Sequence, residues 1–106
     1  MLATTTPTFE GKMIVEYKGL VSATAIHGIH VGKDFMAGAR NLVGGRSKTY
    51  ENELDKGQAE AMAEMESAAE ALGANAIVGV RIDIEALGQT GNMLLVSVTG
   101  TAVVVQ

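Results

Sequence analysis

The chain has 106 residues, with eight Lys and Arg against twelve Asp and Glu and a formal charge of −4. That length fits a single domain over residues 1–106. The acidic balance argues against a general nucleic-acid binder, which needs a basic stripe to release counterions. The absence of cysteine excludes disulfides, thiolate nucleophiles and every Cys-containing zinc or iron–sulfur site.

No run of about 18 apolar residues is present, so no membrane span is expected. The opening "MLATTTPTFEGK" lacks the basic region and apolar run of a signal peptide. A cytoplasmic protein is the default expectation. Two Tyr, two Phe and no Trp leave the core to Val, Ala, Ile, Leu and Met. A small domain with so few large side chains gains missing burial from partner subunits.

Taken in order, "ATTTPT" reads as a short edge strand or extended arm, because Pro7 has no N–H to donate. From Met13 the apolar positions alternate as Met13, Val15 and Tyr17, and resume after Gly19 as Val21, Ala23, Ala25 and His27. That is one long strand with a bulge or bend at Gly19. "KDFMAGARNLVGG" then predicts a short helix, with Asp34 as its N-cap and Gly44 and Gly45 as its stop.

A main helix is predicted over residues 48–72, on a stripe of Tyr50, Leu54, Gly57, Ala61, Met65, Ala68 and Leu72, widened by Met62 and Ala69. Gly57 inside it costs about 1 kcal/mol relative to Ala, so close packing is expected there. Glu53, Lys56, Glu60, Glu64, Glu66 and Glu70 form the opposite, polar face, and Gly73 caps the end.

Two strands close the chain. In the first, Val78, Val80, Ile82 and Ile84 alternate with Gly79, Arg81, Asp83 and Glu85. "GQTG" reads as a hairpin connection. In the last, Leu94, Val96, Val98, Gly100, Ala102 and Val104 suit a surface under the helix. The fold class is therefore α+β: an antiparallel sheet of about three main strands with one long helix across one face.

"VGGRSKTYENEL", residues 43–54, raises the question of a phosphate loop. A Walker loop needs four residues between its first glycine and Gly-Lys-Ser/Thr, and a dinucleotide fingerprint needs G-x-G-x-x-G after a strand. Neither spacing is present. The structural reading is that Gly44 and Gly45 end one helix while Ser47 or Thr49 caps the next, with Glu51 and Glu53 in its positive first turn. Arg46, Ser47 and Lys48 remain candidates for an anion site or a subunit interface.

The strings "VGGRS" (43–47), "LGANAIVGV" (72–80) and "LVSVTGTAVVV" (95–105), with "TTT" and "EGK" near the start, resemble the YbjQ-like family across nearly the whole chain. "IDIEAL" (82–87) departs from many members, which carry an aromatic residue before the Glu. The resemblance implies a dodecin-like βαββ subunit assembled into pentameric rings, sometimes stacked as decamers. It also implies the label "heavy-metal-binding", without an assigned reaction.

The residues themselves support a metal only weakly. Soft metals favour thiolates and thioethers, and the methionines form no tight cluster. His27 and His30 sit three apart in a strand-like region and point to opposite faces, so a borderline ion would have to bind between subunits. Asp83 and Glu85 share a strand face and suit a harder ion. No nucleophile–base–acid set is apparent, and no cofactor is expected. The reading that follows is a non-enzymatic homo-oligomer, pentamer or decamer, that serves as a scaffold or binds a small molecule. A metal-binding protein with sites at subunit junctions is the alternative.

Overall fold

The computed structural model describes residues 1–28, 44–88 and 91–106. The predicted short helix from Asp34, together with His30, lies outside these residues. The elements are β1 (Leu2–Ala3), β2 (Ile14–Gly28), α1 (Gly44–Ala71), β3 (Ala76–Leu87) and β4 (Met93–Val105). They form a four-stranded mixed sheet in the order β1-β3-β4-β2, with α1 lying chiefly across β2 and β4. The α+β class is confirmed, with the short parallel β1 as a fourth strand. No helix among the described residues is long and apolar enough to cross a membrane.

β4 runs antiparallel to both β2 and β3, so β2 and β3 point the same way with β4 inserted between them. The long strands set the shape, 55 × 23 × 17 Å. As expected, Gly19 bends β2: its φ is +127°, and the pairing with β4 shifts between Tyr17 and Gly19. Beyond the bend, Val21 and Ala25 are buried under the helix, and Ala23 packs on the same cluster. Met13, Val15 and Tyr17, ahead of the bend, are 70, 48 and 70 % exposed.

The main core joins Ala61, Met65 and Ala69 of α1 to Val21, Ala25, Ile77, Val80, Val96, Val98 and Ala102. Gly57 has the predicted close approach: a Cβ there would stand 3.0 Å from Val96 Cγ2. In the second half of α1 the buried line runs through Ala69. Ala68, one position round the helix from that line, is exposed, and Leu72, just past the end of α1, is 44 % exposed.

Three expectations are corrected. First, α1 begins at Gly44, so Gly44 and Gly45 open the long helix and Ser47 and Thr49 lie within it. Its first turn holds no acidic residue, because Glu51 and Glu53 fall further in. Second, β3 does not keep one phase. Val78 pairs with Thr101 and Arg81 with Thr99, so Gly79 and Val80 together face Gly100. This bulge needs glycine twice. Gly79 sits at φ +62°, and a Cβ on Gly100 would be 2.6 Å from Ile77 Cγ2. Ile77 consequently joins Val80 beneath the helix, although the alternation grouped Val78 with Val80. Third, Val78 instead joins Ala76, Val103 and Val105 in a small second cluster on the opposite face, covered by Phe9 and Ile14.

The N-terminal arm closes over the bulge. Thr4 N donates to Ile77 O (3.0 Å), Gly79 N to Thr6 O (2.9 Å) and Val80 N to Thr4 O (3.0 Å). Asn75 does comparable work at the far end of β4, donating from Nδ2 to Val105 O (3.0 Å) and accepting from Val105 N at Oδ1 (2.8 Å).

The seat at Gly57 gives a direct prediction. Gly57→Leu forces four carbons into the contact with Val96 and should destabilise the fold by about 1–3 kcal/mol, the usual range for overpacking. Urea denaturation checks it, and an unchanged midpoint would mean that the helix does not sit this close.

Candidate functional site

The bend at Gly19 sets the phase of the rest of β2, and that phase turns His27 toward α1. Two glutamates of the helix meet it there. His27 Nδ1 lies 2.8 Å from Glu53 Oε2, and His27 Nε2 lies 2.5 Å from Glu60 Oε2. Glu53 and Glu60 are seven residues apart, two helical turns, so they project from one side of α1. Gly57 lies between them and close to the ring: a Cβ there would be 3.7 Å from His27 Cδ2, in ordinary contact.

The chemistry of this clasp is explicit. Ionised carboxylates only accept hydrogen bonds, while a neutral imidazole has one N–H. To satisfy both glutamates at once, the ring must carry both protons. The bond to Glu60, then the bond to Glu53, accordingly raise the His27 pKa, against an opposing effect of burial. The bond to His27 lowers the Glu53 pKa, with Lys56 helping and burial opposing. Lys56 Nζ stands 3.6 Å from the other Glu53 oxygen. The His27 and Glu53 side chains are about one-fifth exposed, whereas Glu60 is 64 % exposed.

Tyr50, two turns before Gly57, donates its hydroxyl to the Gly91 carbonyl and ties α1 to the β3–β4 connection. At the other end of the sheet, Lys18 pairs with Glu16 at 2.9 Å. Its Nζ stands 3.8 Å from where a Gly73 Cβ would be, which places a cation at the negative end of the helix.

The other candidate residues are scattered. Arg46 and Ser47 belong to the first turn of α1, and Lys48 is exposed in the next. Asp83 and Glu85 share the sheet face turned away from α1, beside Leu95 and Ser97. Arg81 pairs with Asp83 at 3.3 Å. His27 is thus brought together with neither Asp83 nor Glu85. Among the described residues no three His, Asp or Glu side chains converge as a metal site, because Glu53 and Glu60 approach opposite edges of the His27 ring. The donors gathered at His27 are oxygen and imidazole, a set that does not suit a soft heavy metal.

Glu53 and Glu60 were hidden in the sequence among the residues of a polar helix face. Their signal was the pattern Glu-x3-Gly-x2-Glu opposite an inward-facing histidine.

Comparison with known proteins adds to this geometry. Residues 1–106 match the family model YbjQ, described as "Putative heavy-metal-binding". The chain is 57 % identical to a UPF0145 protein of Listeria grayi over 106 residues, covering all of both chains. It is 54 % identical to a UPF0145 protein of Acetivibrio thermocellus and 52 % identical to one of Clostridium kluyveri, again over the full length of both. A crystal structure of a protein of unknown function from the DUF74 family of Pediococcus pentosaceus superposes with a TM-score of 0.68. It has 21 % identity and covers 100 % of this chain and 98 % of that one. At that identity the likeness speaks for the fold.

The clasp predicts a pH dependence of stability. A raised His27 pKa contributes stability that is complete below the unfolded value of about 6.5 and is lost as pH rises through the folded value. A lowered Glu53 pKa contributes stability present above about 4.5 and lost as pH falls through its folded value. The full contribution therefore lies between about pH 4.5 and 6.5. Raising the pH from 6 to 9 should lower the wild-type melting temperature by a few degrees relative to His27→Gln. Parallel pH profiles for the two proteins would refute the clasp.

Proposed function

Because this chain belongs to the YbjQ family, we propose that it is a self-assembling, non-catalytic protein whose working form is a homo-oligomer that serves as a scaffold or small-ligand carrier. One observation carries this reading. β2, fifteen residues long, forms an outer edge of the sheet among the described residues, and Val15, Tyr17, Leu20 and Ile26 on it are 48, 70, 86 and 58 % exposed. A long apolar edge strand is an invitation to pair, and proteins normally shorten, charge or cover such edges. Here a second copy supplies the cover. The modest core supports the same reading, since burial lost to small size is regained at subunit contacts.

Native mass spectrometry and sedimentation velocity at micromolar concentration test it. The expected result is a single multi-subunit species. A stable monomer at that concentration would end the proposal.

The family description favours a second reading, metal binding at subunit junctions. Asp83 and Glu85 supply exposed oxygen ligands that suit a hard or borderline divalent ion, and a neighbouring copy would have to complete the set. Binding only to the folded assembly would raise the melting temperature by mass action. Added divalent ions should then raise it for the wild type and leave the double variant Asp83→Asn, Glu85→Gln unmoved. Identical responses in the two proteins would remove this reading.

A further inference from the structure

We infer that the clasp on His27 is a one-armed proton switch: when the ring gives up a single proton it releases Glu60 and keeps Glu53, which leaves the neutral imidazole protonated at Nδ1. The switch lies within one chain and does not depend on the assembly proposed above.

In the charged ring each nitrogen donates to one carboxylate, Nδ1 to Glu53 at 2.8 Å and Nε2 to Glu60 at 2.5 Å. A neutral ring keeps one N–H and turns a lone pair toward the other glutamate. With no proton between them, that lone pair and the carboxylate oxygen repel, so one partner must withdraw. Neither backbone can follow. α1 is seated at Gly57, where a Cβ would stand 3.0 Å from Val96 Cγ2, and His27 is paired in the sheet with Leu94. The movement therefore falls to a glutamate side chain.

What the freed carboxylate meets decides which one leaves. Glu60 makes the shorter bond, yet its side chain is 64 % exposed against 21 % for Glu53. Lys56 holds the other Glu53 oxygen at 3.6 Å, whereas Glu60 has no cation besides His27 among the described residues. A sheltered carboxylate that loses its donor bears a desolvation cost that an exposed one escapes by taking up water. Glu60 also has room to swing, because with Glu64, Thr24, Ala25 and Ile26 it lines a shallow cavity at the β2 edge. Once released, Glu60 and Glu64, one turn apart, form an acidic rim above β2 that the ring no longer offsets.

Few other charges reach the ring. From α1 come Glu53, Lys56 and Glu60, with Glu64 a turn beyond, and the Tyr50 hydroxyl is engaged with Gly91. On the sheet face under α1, β4 presents Leu94 and Val96. β3 presents Ile82 and Ile84, which oppose Val98 and Val96 and are 40 and 44 % exposed. Neither strand brings a titratable group to that face among the described residues. Glu60, and after it Glu53, hold the ring's proton against the effect of burial, so release comes on the alkaline side of the usual histidine value of about 6.5.

Nitrogen-15 NMR of the imidazole, followed from about pH 5 to about pH 9, reads the switch. His27→Gln removes the His27 signals and so separates them from those of His30. The expected result is one step in which Nε2 passes from protonated to bare while Nδ1 keeps its proton, with the amide spectrum of a folded chain on both sides. A bare Nδ1 above the step would mean that Glu53 is the arm that lets go. An equal mixture of tautomers would mean that neither glutamate holds the neutral ring. Either result overturns the inference, as does a ring that stays doubly protonated throughout.

Two variants give independent readings. Gln donates as well as accepts, so Glu60→Gln should lower the midpoint and leave the neutral ring protonated at Nδ1. Glu53→Gln should reverse the tautomer, with Nε2 donating to Glu60. An unreversed tautomer in Glu53→Gln would show that something other than Glu53 fixes the proton, and would equally overturn the inference.

Discussion

The architecture depends on how closely α1 can lie on the sheet at Gly57. At that point a single methyl group would already press on Val96. The rest of the helix conforms to the same seat, with Ala61, Met65 and Ala69 continuing the buried line at four-residue intervals. This proximity lets Glu53 and Glu60 straddle the His27 ring, and it centres the helix on β2 and β4. A bulkier seam would lift the helix, open the clasp and spread the cover more evenly across the sheet. The exposed isoleucines of β3 and the acidic rim above β2 are thus two results of one packing choice.

The second constraint is the economy of a core almost without aromatic residues. The chain fills its interior with β-branched and small side chains, whose stiff rotamers pack well on a pleated surface. It also uses both faces of the sheet. The bulge at Gly79 and Val80 moves Ile77 to one face and Val78 to the other, which seeds the small cluster under Phe9. One extra residue in one strand thereby supports two cores and gives the N-terminal arm backbone groups to pair with.

Much of this was legible in the sequence. Period-two alternation identified the three long strands, and the stripe through Gly57 identified the helix and its point of close approach. The bend at Gly19 followed from glycine inside a strand pattern. What escaped was phase and context. Strict alternation carried Val78 onto the wrong face, because a bulge changes the phase without leaving a gap in the apolar pattern. The pair Gly44–Gly45 suggested a helix stop, yet glycine is also tolerated in a first turn, where few backbone bonds are yet formed. Glu53 and Glu60 resembled any solvated glutamates on a charged face. Only the three-dimensional placement of His27 distinguishes them from Glu64 or Glu70.

The arm at the start of the chain has a consequence for the order of folding. β1 and the threonines after it pair with β3 across more than two-thirds of the sequence, and contacts of such high sequence separation carry a large loop-closure entropy. The hairpin of β3 and β4 forms from neighbouring segments, whereas the arm must wait for a finished β3 to dock on. During that interval the entire outer edge of β3 is open to another chain. Once docked, the arm stops at Val80 and acts as a ruler, fixing how much of that edge remains. The amino terminus thus separates an early, indiscriminate edge from a late one of defined length.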